Sequence, residues 1–284
     1  MGKLIRGTSK SSRFVVMDTK DIINDIIIAQ NIDDTLTADI LSKIVGFAIC
    51  LSTNMKSFKN LTVRVDSNSY IKNITVIIDE DKNVKAYVSK NEEYEETTHA
   101  TLRVIKDFGL KEPYTAISNI DLKNILDDIS SYFYHSEQIP TFISVGSSFN
   151  DDGSLKNSGG FMVQLMPGAD EKFIDKMEEK SKIIRPINQL LDGKMSLIDI
   201  IKLIYEDIDS ENDAEIEKYE ILSEENIIFK CNCNKEKFKN GVITLGKSEL
   251  QNIFDEEENI EVACQFCNKK YKFSREDFSE ILDE

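Results

Sequence analysis

The sequence predicts an α+β protein in three parts, and three observations carry that reading. From Phe14 to Leu165, strand-like and helix-like stretches alternate without the regular strand–helix–strand rhythm of a doubly wound sheet. From Glu171 to about Ile204 the apolar spacing is helical throughout. Four of the five cysteines then fall in the last fifth of the chain as two tight pairs, Cys231 with Cys233 and Cys264 with Cys267.

Taken in order, Phe14 to Met17 is a short apolar run that leads into a helical pattern, DTKDIINDIIIAQ. Thr35 to Met55 reads as a second helix, with Ile40, Leu41, Ile44, Val45, Ala48 and Ile49 at i, i+3 and i+4 spacing. Leu61–Val65, Ile74–Ile78 and Val84–Val88 are strand-like, and the turn residues DEDKN join the last two. Asp121 to Tyr134 reads as a further helix. Phe142–Phe149 and Phe161–Leu165 flank the turn NDDGS and predict a hairpin. Beyond Glu171, apolar stripes at Phe173, Ile174 and Met177, at Ile187, Leu190 and Leu191, and at Leu197, Ile200, Ile201 and Ile204 are interrupted by Pro186 and Gly193. Several short helices are expected there rather than one rod.

Composition narrows the function classes. A net charge of −16 argues against a sequence-independent grip on nucleic acid, which needs clustered Lys and Arg, and against anionic membrane surfaces. No apolar run is read as approaching the length of a spanning helix, about 18 residues or more. The basic start, MGKLIRGTSKSSRF, is not followed by a signal-peptide core, so a cytoplasmic protein is expected. Paired cysteines in a reducing compartment are metal ligands or redox-active thiols before they are structural disulfides.

Residues 205–226, YEDIDSENDAEIEKYEILSEEN, carry ten acidic residues against the single Lys218, the composition of an exposed, marginally ordered linker. After it comes C-x-C, thirty residues, then C-x-x-C. Zinc takes four tetrahedral ligands, and Cys231, Cys233, Cys264 and Cys267 would close such a site as thiolates. A capping-like start at Ser248 and the acidic turn DEEEN suggest a small unit between the pairs, too thin in apolar residues to stand without a staple. A thioredoxin-like centre fits less well, because Tyr271 and Phe273 follow the C-x-x-C at strand spacing where that fold has a helix. A structural staple and a redox switch both remain open on spacing alone, since the thiolates that hold zinc are also what oxidants attack.

These residues resemble the heat shock protein 33 family, redox-regulated holdase chaperones of the bacterial cytosol. The likeness runs through FKCNCNKEKF, LGKSEL, EVACQFCNKKYKF and REDF, and back into KDFGLKEPYT at 106–115, YFYHSEQIPT at 132–141 and GGFMVQLMPGA at 159–169. The resemblance implies an N-terminal α+β chaperone domain over 1–178, a helical acidic linker over 179–226 and a C-terminal zinc-binding redox-switch domain over 227–284. It implies one Zn2+ per chain in the reduced state and, on oxidation, the disulfides Cys231–Cys233 and Cys264–Cys267. It further implies loss of zinc, unfolding of the linker, ATP-independent holding of unfolded client proteins, and a homodimer on activation.

Other residues are given plainer roles. His135 beside Ser136 lacks an acidic orienting residue and is no catalytic pair, and His99 is expected on a solvated surface. Gly159–Gly160 reads as a bulge or close approach rather than a phosphate loop. Cys50 is expected buried and inert. The chain is therefore read as a non-enzymatic chaperone. A structural zinc-binding adaptor without redox control is the alternative, and a thiol oxidoreductase is a weaker third.

Overall fold

A computed structural model describes residues 1–94, 99–206 and 218–282, and it divides into two compact units, Met1–Phe229 and Lys230–Glu284. The larger unit opens with β1 (Gly2–Thr8), β2 (Ser12–Asp18), α1 (Lys20–Gln30) and α2 (Thr35–Thr53). Next come β3 (Asn60–Ser67), β4 (Ile71–Asp79), β5 (Asn83–Lys90), β6 (His99–Asp107) and β7 (Tyr114–Asp121). A 3-10 turn, α3 (Ile125–Tyr132) and a π-helical turn (Phe133–Glu137) lead to β8 (Thr141–Phe149) and β9 (Leu155–Leu165). The unit ends with α4 (Glu171–Ile183), α5 (Ile187–Asp192), α6 (Leu197–Tyr205) and β10 (Glu220–Phe229). The strands form one sheet in the order β7-β6-β3-β4-β5-β10-β1-β2-β9-β8, antiparallel throughout except where β10 meets β5.

Helix α2 organises one face of that sheet. Asp34 caps it by accepting a hydrogen bond from the Thr37 amide at 2.7 Å, and fifteen of its 19 residues are buried. Its length and composition would suit a membrane span, contrary to the expectation of no such run. The reason is its place as the central core helix. Strands β3, β4, β8 and β9 pack on it, so it is apolar on nearly every side. Phe47 sits fully buried at its middle, edge-on to Tyr132 and Phe133.

The half-sheet β10-β1-β2-β9-β8 buries its second face as well. Along β2, Val15 and Met17 join the core with α1 and α2, whereas Phe14 and Val16 join a separate cluster with Ile5, Phe161 and Val163. That second cluster is covered by Phe173 and Met177 of α4, Ile187 and Leu190 of α5, and Ile200, Ile201 and Ile204 of α6. The short helices expected after Glu171 are thus three, broken before α5 at Pro186 and after it at Gly193; Ser196 and Asp199 form a capping box on α6. Gly159 and Gly160 are a close approach within β9, since a Cβ at either would sit 2.5 Å from Met17 atoms.

Two expectations need correcting. The helix expected over 121–134 is split among a 3-10 turn, α3 and the π-helical turn, because Asp121 caps the 3-10 turn and the chain rewinds after Tyr132. Residues 220–226 of the expected linker are strand: they open β10, whose backbone pairs with β1 although only Ile227 of its side chains is fully buried and three are acidic. Most of the remaining acidic run, 207–217, lies outside the described residues. Phe47→Ala should destabilise the larger unit by about 3–5 kcal/mol in urea unfolding. A loss under about 1 kcal/mol would contradict the central place given to α2.

Candidate metal centre

The smaller unit contains α7 (Lys235–Ile243), α8 (Lys247–Glu256), the hairpin β11 (Asn259–Ala263) and β12 (Lys270–Ser274), and a 3-10 turn at Arg275–Phe278. Val242, Leu250, Tyr271, Phe273, Phe278 and Leu282 make up its buried core. Six such side chains are a slender core for a unit of this size. Ser248 is not the cap expected of it. Gly246, at φ 88°, takes the N-cap position, so α8 starts earlier and Ser248 lies inside its first turn.

Local structure delivers the two cysteine pairs to one point. Cys231 and Cys233 lie just ahead of α7, where Asn234 caps the helix by accepting from the Lys237 amide at 2.8 Å. Lys237 Nζ donates back to the Asn232 carbonyl at 3.1 Å, which fixes the loop between the two sulfurs. The second pair sits in the turn between β11 and β12. There the Cys264 amide donates to the Lys269 carbonyl at 2.9 Å and the Asn268 amide to the Cys264 carbonyl at 2.8 Å. Asn268 adopts φ 58°, a left-handed conformation that asparagine tolerates better than most residues.

All four sulfurs lie within 4.8 Å of one another. Two contacts across the pairs are shorter, Cys231 to Cys264 at 3.6 Å and Cys233 to Cys267 at 3.4 Å. Tetrahedral ligands at a zinc–sulfur distance of about 2.3 Å lie about 3.8 Å apart, so the cage has the dimensions zinc requires. The donor set, four thiols without a carboxylate or histidine, is that of a closed structural site rather than a catalytic one.

The electrostatics show why a cation suits this cage. Burial opposes ionisation of Cys233, but hydrogen bonds from the Tyr271 hydroxyl, at 3.0 Å, and from the neighbouring thiols outweigh it and bring the group to about 7. Cys231 is pushed up to about 12, by burial first and then by its thiol neighbours. Cys267 is also raised, chiefly by burial. Cys233 is thus favoured as a thiolate over Cys231 and Cys267, and a bound dication would favour ionisation of the sulfurs around it.

The remaining singled-out residues stand apart from this centre. Cys50 is fully buried on α2, and burial pushes its thiol far above the ordinary range. His99 and His135 are exposed. Glu137, two residues after His135, accepts from Lys106 Nζ at 2.6 Å and from the Tyr132 hydroxyl at 3.0 Å, an ion pair and hydrogen bond that tie the π-helical turn to β6. Sequence reasoning missed the part of Tyr271. It gave this residue a strand position, but nothing in the spacing shows that the hydroxyl reaches Cys233 while the ring stacks on Phe238 at 4.9 Å.

Fold and site together define an α+β protein joined to a compact four-cysteine unit. The model of the family described as Hsp33 protein matches residues 2–274. The 33 kDa chaperonins of Clostridium novyi and Clostridium beijerinckii are 30% and 31% identical; the alignments cover 99% of this chain and 97% and 98% of theirs. That of Bacillus pumilus is 30% identical over 96% of this chain and 94% of its own. The crystal structure of the Thermotoga maritima 33 kDa chaperonin superposes with a TM-score of 0.83 at 24% identity, covering 99% of this chain and 97% of that one, and it supports the fold. The chain belongs to the Hsp33 family, a family of chaperones.

Tyr271→Phe removes one donor to Cys233. In the reduced, metal-free chain, the pH of half-maximal alkylation at Cys233 should rise by about one. An unchanged profile would show that the hydroxyl does not set the charge distribution.

Proposed function

We propose that the chain is an oxidation-activated, ATP-independent holdase, with Cys231, Cys233, Cys264 and Cys267 as the ligands of one zinc ion in the resting state. The observation that carries this reading is the convergence of four sulfurs within 4.8 Å in a unit whose hydrophobic core, among the described residues, has six buried side chains. When bound, zinc would keep all four sulfurs as thiolates and contribute folding free energy to that unit.

Oxidation acts through the same sulfurs. In each pair one thiolate attacks peroxide, giving a sulfenic acid and releasing hydroxide, which is protonated to water. The partner thiolate then attacks that sulfur, forms the S–S bond and releases a second hydroxide, and solvent protonates it to water as well. Two peroxides therefore yield Cys231–Cys233 and Cys264–Cys267, and no thiolate is left to hold a dication. The smaller unit loses its staple, and the loss passes back along the chain to α6, α5 and α4.

What those helices cover gives the change a use. Ile5, Phe14, Val16, Phe161 and Val163 form an apolar sheet face beneath them, and the inner stripes of α4–α6 are equally apolar. Their separation would present both surfaces to unfolding clients, and reduction would hide them again. We assign residues 1–178 to the chaperone body, 179–226 to the releasable linker and 227–284 to the switch. The reading further places the protein in the cytosol, as a homodimer when active.

Peroxide at elevated temperature should release one zinc per chain, and protection of a heat-denatured client from aggregation should appear alongside. Cys264→Ser should lower zinc affinity sharply and leave the switch unit unfolded even under reduction. Zinc lost without protection, or client held equally before and after oxidation, would favour a structural adaptor.

A further inference from the structure

One element between the covering helices and the cysteines is buried only lightly itself. In β10, Ile227 alone is fully buried. The strand pairs with β1 over seven positions, with an irregularity between Arg6 and Gly7, but with β5 over only two. Three fastenings hold it. Tyr219, just ahead of β10, packs against Tyr205 at the end of α6 with ring centroids 5.2 Å apart, and the two rings lie 5.9 and 5.3 Å from Phe14. Gly7 makes room for this cluster, since a Cβ there would sit 2.1 Å from Phe14 Cζ and 2.4 Å from the Glu220 carbonyl. Glu225 pairs with two cations, Arg6 at 3.7 Å and Lys82. Ile227 closes a small pocket lined by Leu4, Ile49, Ile78 and Val84.

We infer that β10 is a removable strand, and that the position it vacates along β1 is a binding site for an extended segment of unfolded polypeptide bearing a carboxylate two residues ahead of a branched aliphatic side chain. This rests on the oxidation-activated reading above. Once β10 leaves, the outer edge of β1 has unpaired N–H and C=O groups, and an extended chain satisfies them by strand addition. Arg6 and Lys82 then lack their shared carboxylate, a local cationic spot in a chain of net charge −16. Side chains two apart on a strand share a face, so the carboxylate and the aliphatic group enter together, as Glu225 and Ile227 do. The charge requirement selects among extended segments, which backbone pairing alone does not.

The probe is a labelled decapeptide, EILSEENIIF, titrated by fluorescence anisotropy into the full chain in its reduced zinc-loaded and peroxide-treated states. Client aggregation is followed on the same samples. The oxidised chain should bind the peptide and the reduced chain should not, and Glu225→Lys in the peptide should weaken binding at least about tenfold. The amides among residues 2–8 that face β10 should lose exchange protection on oxidation and regain it when peptide or client is added, while those paired with β2 keep it. An oxidised chain that holds client but binds no peptide, or binds it without protecting the amides that face β10, overturns this inference and leaves the holdase reading standing. Protection that returns with chain concentration alone would give the site to a second copy's β10 and overturn the client assignment. Failure to hold client in any state removes the holdase reading itself, and this inference with it.

Discussion

Four sulfurs drawn to one point cannot all carry charge unless a cation joins them. That constraint sits at the centre of the molecule's chemistry. Burial disfavours thiolates, and like charges a few ångströms apart disfavour one another, so the metal-free cage concentrates its charge on Cys233, where Tyr271 supplies a hydrogen bond. The same closeness would suit a dication and, under the proposed switch, would leave each sulfur near another that could capture a sulfenic acid.

The two faces of the half-sheet are held very unequally. On one side α2 contributes fifteen buried residues and is enclosed by strands. On the other, α4, α5 and α6 together bury eight: Phe173, Met177, Ile187, Leu190, Ile200, Ile201, Ile204 and Tyr205. Cooperative units with fewer buried contacts open at lower free energy. Under the proposed switch, such a fold would release its second helical layer while retaining its first. Polar contacts shape the release further: Asp192, at the end of α5, accepts from Ser148, Asn157 and Lys156 and so fastens that helix to the β8–β9 hairpin.

Much of this was legible in the sequence, for identifiable reasons. The hairpin β8–β9, helix α2 and the strands β3–β5 carry strong apolar patterns that tertiary context leaves intact. The cysteine pairs pointed to a four-sulfur cluster, and the structure brings those four sulfurs together. Strand β10 was hidden, since its sequence is acidic and its attachment rests on backbone pairing with β1, on Glu225 meeting cations distant in sequence, and on Ile227. Strand β1 was hidden for the opposite reason: it lies between two buried layers, so Leu4 and Ile5 point to different cores and no alternation appears. The bond from Tyr271 to Cys233 joins residues 38 apart and depends on the twist of one small hairpin, which no periodicity encodes.

In the proposed function the closed thiolate cage keeps α4–α6 on the sheet. The most direct test is peptide-resolved hydrogen exchange over residues 171–205 and 35–53, read against zinc content as oxidant is added in steps. Protection in α6 should fall in proportion to zinc released while α2 keeps its protection. Full protection of α6 after all zinc has gone would contradict it.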